Sequence, residues 1–190
     1  MIILFGAPGA GKTVQGKLLA AKYGWQWISE RDLMVSLNDE DVALALNHGM
    51  PVDNQKSIEA LRQAFSRVNF SNSRAVVLDG FPTNVSQIYW MKEQNILQHI
   101  EGAIVLRVPR GELWRRLLAR GRVDDTRAAI ERRQDLHERA IYGMLHVLKE
   151  NNIQVVEVDG GNGPEDVLGR IEEKLGGWGI VPKKQYVKIR

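Results

Sequence analysis

The sequence predicts an α/β domain: a parallel central sheet covered by helices on both faces, in three layers. Three observations carry that prediction. Short apolar, β-branched runs alternate with longer amphipathic stretches along the chain. Strands that alternate with helices are joined by crossovers, which makes the sheet parallel and lays helices over both of its faces. The length of 190 residues, with 44% apolar and 26% charged side chains, suits one domain with a well-buried core.

The first strand is read at Ile2–Phe5, which runs straight into Gly6. With no charged leader before it, this segment reads as a strand rather than a signal peptide. The first helix is Lys12–Lys22. Trp25 and Trp27 flank Gln26 on a short strand, one expected inward and one outward, with base stacking as the lesser alternative. Ala75–Leu78 is the next strand and Gln87–His99 the helix after it. Ala103–Val108, Arg110–Arg120, Thr126–Asn151 and Val155–Val158 continue the alternation as strand, helix, helix and strand. The last helix, Pro164–Leu175, opens with Pro164, Glu165 and Asp166, a proline and two acids where the helix dipole favours them. Gly176 and Gly177 end it. The tail beyond, residues 176–190, is expected to make hydrophobic contacts of its own at Trp178, Ile180 and Val181.

Composition excludes several classes. Without cysteine there is no disulfide framework and no thiolate metal site. No apolar run approaches the ~20 residues that cross a bilayer. The four histidines, His48, His99, His137 and His146, show no metal-ligand spacing, so packing or surface roles are expected. The net charge of +3 is unevenly placed: Lys183, Lys184, Lys188 and Arg190 all lie in the tail, and removing those four leaves −1 for the body. Nucleic-acid binding is therefore not expected except through the tail. A cytoplasmic monomer is expected.

The strongest motif is Gly6-Ala7-Pro8-Gly9-Ala10-Gly11-Lys12-Thr13, which fits G-x-x-x-x-G-K-[ST] between an apolar strand and a helix. Glycines let the backbone wrap a polyphosphate, so that successive N–H groups and the helix N-terminus face the anion. In such a loop Lys12 reaches the β- and γ-phosphates and the Thr13 hydroxyl ligates Mg²⁺. A glycine-rich turn that binds nothing is the plainer alternative, and the full pattern in this context argues against it.

Three segments together resemble the adenylate kinases and related nucleoside monophosphate kinases, over roughly residues 1–175. The loop continues through Val14 and Gln15, similar to the family's G-x-P-G-x-G-K-G-T-Q, with Thr13-Val14 where the family has Gly-Thr. Leu78-Asp79-Gly80-Phe81-Pro82-Thr83-Asn84-Val85-Ser86-Gln87 resembles D-G-F-P-R-T-x-x-Q. Arg116 to Asp125, with Arg133 beyond, resembles the lid pattern R-L-x-x-R…G-R-x-D-D…R.

The resemblance implies a P-loop NTPase fold, an acceptor-binding helical insertion near residues 29–68 and a short lid near 120–126. It implies ATP as phosphoryl donor with Mg²⁺, and a small-molecule acceptor, a nucleoside monophosphate or a relative of one. Donor binding would fall to Gly6, Gly9, Ala10, Gly11, Lys12, Thr13 and Val14, with Arg116 beside the base. Lys12, Arg120, Arg122 and Arg133 would act on the transferring phosphates. Thr13 and, through water, Asp79 would hold Mg²⁺, while Asp32, Gly80 and Gln87 would line the acceptor pocket. Arg115, Arg127, Arg132 and Arg139, outside the matched positions, are expected to be solvated and paired.

The acceptor side departs from the family. Its loop often reads S-T-G-D-L-L-R, and here Ser29-Glu30-Arg31-Asp32-Leu33-Met34-Val35 stands in that place. Val35 and Thr83 occupy the positions of the two arginines that clamp the acceptor phosphate, and Glu30 sets a carboxylate near their target, a repulsion for a dianion. Arg31, Arg62 and Arg67 are the candidates to compensate. An ATP-binding module without catalysis, and a kinase with a non-nucleotide acceptor, stay open as alternatives.

Overall fold

A computed structural model of the chain describes residues 1–68 and 76–181. Five strands form one sheet in the order β2-β3-β1-β4-β5: β1 is Ile2–Gly6, β2 Gln26–Ser29, β3 Val76–Asp79, β4 Gly102–Arg107 and β5 Val155–Asp159. Every pairing is parallel. The helices are α1 Lys12–Tyr23, α2 Glu30–Ser36, α3 Glu40–Asn47, α4 Asn54–Phe65, α5 Val85–Glu93, α6 Arg110–Arg120, α7 Arg127–Glu150 and α8 Pro164–Gly177. The predicted three-layer architecture is the one observed.

Alternation along the strands divides the interior in two. From β1, Ile3 and Phe5 join Leu78, Phe81, Ile88, Met91, Met144 and Leu148 on one face of the sheet. Ile2 and Leu4 join Leu19, Ile104, Leu106, Leu168, Ile171 and Leu175 on the other. A third, small cluster of Met34, Val42 and Ala60 holds α2, α3 and α4 together between β2 and β3. Both main clusters back the carboxyl edge of the sheet, where Ser29 is in register with Asp79, and Gly6 with Leu106. Ligands of open α/β sheets bind at that edge.

Two local expectations need correction. Trp25 and Trp27 were expected on opposite faces, yet residues two apart on a strand share a face. Both pack with the α1/α8 cluster: Trp25 stacks on Tyr23 at 5.1 Å, and the ring of Trp27 covers Gly16 with the Lys17 ammonium 4.7 Å above it. Engaged this way, neither ring is free to stack on a base. The helix predicted to run to His99 stops at Glu93, because Asn95 adopts a left-handed φ of 57°; Leu97–His99 is a separate 3₁₀ turn.

At the C-terminus, Trp178 lies over Gly102, a position with no room for a Cβ, and Val181 is buried. The segment up to 181 is thus packed onto the body. The tail cations Lys183, Lys184, Lys188 and Arg190 lie outside the described residues, as does Ala75 of the predicted third strand. Among the described residues no helix is long and apolar enough to cross a membrane.

Candidate active site

The glycine loop joins β1 to α1 at the carboxyl edge of the sheet. Gly6 and Gly9 hold φ values of 149° and 89°, which side chains rarely adopt, and a Cβ at Gly9 would meet both the Leu113 carbonyl and the Leu117 side chain at 3.0 Å. Sequence dictates this tight wrap. Gly11, also left-handed, begins α1, and a Cβ there would meet nothing within 4 Å, so the mouth of the loop is open. The first N–H groups of α1 face that opening without intrahelical partners. Val14 is exposed on the first turn of α1, and its side chain has no hydrogen-bonding group to replace the family's hydroxyl.

Lys12 bends back over the loop, donating from Nζ to the carbonyls of Gly6 at 2.6 Å and Ala7 at 3.3 Å. Burial lowers its pKa, with Asp79 and Glu30 opposing that shift and Arg120 and Arg133 adding to it. The loop ammonium is therefore within electrostatic reach of both guanidinium groups of the lid region. The Thr13 hydroxyl donates to Asp79 Oδ2 at 2.7 Å. Asp79 ends β3 beside β1, which is why residues sixty-six apart in the chain meet here. A hydroxyl and a carboxylate oxygen side by side at the base of a phosphate-binding loop form a donor set that suits Mg²⁺, a cation that takes few protein ligands and shares substrate phosphates.

The lid region is a tight turn. Gly121, with φ 63°, closes α6, and Thr126 caps α7 by accepting from the Ala129 amide at 3.2 Å. Between them lie Asp124 and Asp125, both buried. Arg120 binds Asp125 through two hydrogen bonds, Nε to Oδ2 at 2.8 Å and Nη2 to Oδ1 at 2.7 Å. Arg133 donates to Asp124 Oδ2 and Asp125 Oδ1, each at 2.8 Å. Burial works against the ionised form of Asp125, but the bonds from Arg120 and Arg133 outweigh it and hold the carboxyl down at about 2. Arg122 is exposed and contributes its backbone amide, which donates to Asp125 at 3.2 Å. Arg116 turns to Glu112 at 2.7 Å and to the Gly161 carbonyl, in the loop after β5, at 3.0 Å.

On the acceptor side, α2 begins where β2 ends, and Ser29 caps it by accepting from the Asp32 amide at 3.2 Å. The Asp32 side chain is exposed. Glu30 lies against Gly80, whose φ is 84°; a Cβ on Gly80 would come within 3.7 Å of the Glu30 carboxylate. Burial raises the Glu30 carboxyl to about 8; Asp79 adds to the rise, while a hydrogen bond with Ser57 and the Lys12 charge hold it back. At neutral pH this carboxyl is mostly protonated, so the repulsion expected between it and a phosphate is largely removed. Gln87 is buried and accepts through Oε1 from the Thr83 amide at 2.6 Å and the Thr83 hydroxyl at 3.1 Å.

Lys12, Thr13, Asp79, Arg120 and Arg133 thus come together, joined by Gly80 and Glu30; Arg116 lies apart by the β5–α8 loop. Sequence reasoning read Asp124 and Asp125 only as part of the lid pattern, without a role, whereas they anchor the turn between α6 and α7. It also left His137 to packing. Its imidazole feels Lys12 and Arg107, and burial first, then those two cations, lower its pKa to about 4. No spacing signal marks it in advance.

A family model described as an AAA domain matches residues 5–131, which spans the loop, the acceptor-side helices and the lid turn. An adenylate kinase of Prochlorococcus marinus (strain NATL2A) is 30% identical over 186 residues, covering 92% of this chain and 98% of that protein. The chain belongs to the adenylate kinase family. A second relative, the adenylate kinase of Mycobacteroides abscessus, is 31% identical over 188 residues, with the same two coverages. The adenylate kinase of Clavibacter michiganensis is 29% identical over 194 residues and covers 95% of each chain. Membership makes this chain a phosphotransferase of the nucleoside monophosphate kinase type, with a nucleotide-binding P-loop.

Proposed function

We propose that the chain transfers the γ-phosphoryl group of ATP to a nucleoside monophosphate. The observation that carries this reading is the convergence of Lys12, the Thr13–Asp79 pair, Arg120 and Arg133 at one edge of the sheet. In the reaction an acceptor phosphate oxygen bonds to the γ-phosphorus as the bond from γ-phosphorus to the β–γ bridging oxygen breaks, leaving ADP and a nucleoside diphosphate.

Such a transfer asks little covalent work of the protein, and its rate comes from positioning and from charge placed against the phosphoryl oxygens. The N–H groups of Gly9, Gly11, Lys12, Thr13 and Val14 line the phosphate cradle behind Gly6, while that of Ala10 closes the loop on the Ala7 carbonyl at 3.0 Å. Lys12 exchanges the Gly6 and Ala7 carbonyls for β- and γ-oxygens. Arg120 and Arg133, trading carboxylate oxygens for phosphate oxygens, and the exposed Arg122 neutralise the group in flight, a geometry that guanidinium forks suit. Arg116 flanks the donor base. Gly80 and Gln87 line the acceptor pocket, with Asp32 at its rim. Thr13 and, through water, Asp79 would hold Mg²⁺, which supplies charge neutralisation to the phosphates when bound.

The test is a coupled ADP-release screen across the common nucleoside monophosphates and small metabolites, with Lys12→Ala alongside. Saturable release with a monophosphate, lost in Lys12→Ala, is expected. ATP binding without acceptor-stimulated release would point to a binding module, and release only with a non-nucleotide hydroxyl compound would overturn the acceptor assignment. Val35 and Thr83 are what give that last outcome weight.

A further inference from the structure

Arg31 is placed unlike the other arginines of the acceptor side. It stands in the first turn of α2, and its guanidinium reaches Asp124 at 3.1 Å with a side chain 32% exposed. Asp124 also receives Arg133, and its neighbour Asp125 receives both Arg133 and Arg120. Three guanidinium groups therefore share two buried carboxylates, and the charge of Arg122 bears on Arg31 as well. The cluster has a surplus of positive charge, partly withdrawn from water, and such a surplus calls for an anion. Lys12, facing Arg120 and Arg133, places that surplus beside the phosphate loop.

Helix geometry explains how Arg31 can serve. Residues 31 and 35 are four apart, so they lie on one face of α2, ~6 Å apart along its axis. An arginine side chain swings through that distance. Val35, where the family pattern has arginine, is exposed and apolar here. Of the other candidates, Arg62 is exposed and pairs along α4 with Glu59 at 3.4 Å, and Arg67 is exposed beyond the end of α4. Nor is Arg31 needed to tether the acceptor helices to α7: Arg132 already donates to the His48 carbonyl at 3.0 Å, and Gly49 packs against Ala129.

We infer that Arg31 grips the acceptor's phosphate, replacing from the first turn of α2 the guanidinium that Val35 does not supply. The inference rests on the proposed acceptor being a nucleoside monophosphate. In the phosphate-free protein Asp124 holds the guanidinium in place, as Asp125 holds that of Arg120, and the acceptor phosphate displaces it.

The experiment compares wild type, Arg31→Ala and Arg31→Lys, using AMP as acceptor, or whichever monophosphate the screen identifies, and the corresponding nucleoside as a phosphate-free ligand. Arg31→Ala should raise the acceptor KM about thirtyfold, the range of a charge-assisted hydrogen bond to phosphate, and leave the KM for ATP within about twofold. Arg31→Lys, which keeps the charge but not the fork, should fall between. Calorimetric titration should show nucleoside binding unchanged and monophosphate binding weakened. Equal rises in both KM values would reveal a structural tether and overturn the inference, as would an unchanged acceptor KM in an active Arg31→Ala. No turnover of any monophosphate by wild type would instead sink the functional reading, and the inference with it.

Discussion

In the half of the cleft proposed to hold the donor, three cations rest on partners that a phosphate can displace: Lys12 on loop carbonyls, Arg120 and Arg133 on Asp124 and Asp125. At the acceptor end the arrangement is inverted. Its carboxyl, Glu30, is partly buried and held protonated by loss of water, and one guanidinium, that of Arg31, reaches across from it to the lid turn. The difference has a physical origin. On the proposed reading, donor recognition would rest on backbone wrapping and on glycines in conformations that side chains rarely adopt, so its chemistry is tied to the fold. Acceptor recognition would rest on side chains of α2, α3 and α4, where one substitution changes the charge without disturbing the sheet.

The largest expected effect tests the donor end. Arg133→Ala removes a fork that faces both lid carboxylates and the transferring group. Turnover should fall ~100- to 1,000-fold, the usual cost of deleting one preorganised electrostatic contact. Arg62→Ala, on the acceptor helices but paired only at the surface, should change turnover less than about twofold. Steady-state kinetics on the two variants decide the matter; comparable losses would erase the contrast between the ends.

A smaller effect is expected from adding charge to the acceptor end. Thr83→Arg restores a guanidinium at a position where, among the described residues, the hydroxyl donates to Gln87. The acceptor KM should drop about tenfold with the KM for ATP unmoved. An unchanged acceptor KM would mean that Arg31 already saturates the phosphate, and that the acceptor end lacks no cation.

The same contrast separates what could be read in the sequence from what could not. Strand order aside, the sheet and the glycine loop were legible, because β-branched runs and the eight-residue loop are local patterns that follow from spacing, whereas the lid arginines were marked only by the family resemblance. The acceptor half was legible only as a set of departures. That Glu30 is protonated depends on its burial and on Asp79, which β3 brings beside it. That Arg31 pairs with Asp124, ninety-three positions away in the chain, depends on how α2 faces the turn before α7. The shared face of residues 31 and 35 was available from helical periodicity alone. Trp25 and Trp27 failed for a different reason: strand parity, also available from the sequence, was misapplied.

The smallest expected effect concerns stability, and it follows from the protonated state of Glu30. A carboxyl near its usual value of 4.5 in the unfolded chain and at about 8 in the folded one keeps its proton on folding across that window. As pH rises from 4.5 to 8 the unfolded state releases a proton that the native state retains, so this group makes stability fall. Asp125 has the opposite sign: its folded value of about 2 contributes stability that is lost only as pH falls from about 4 through 2, outside the window. Glu30→Gln keeps the shape and removes the titration. Urea unfolding should find the variant and wild type alike near pH 4.5 and the variant more stable by about 1 kcal/mol at pH 8, the figure being held low because a partly exposed carboxyl relaxes toward water. Parallel stability profiles would show that Glu30 is ionised at neutral pH, returning a negative charge to the acceptor end and making the guanidinium of Arg31 its necessary counterweight.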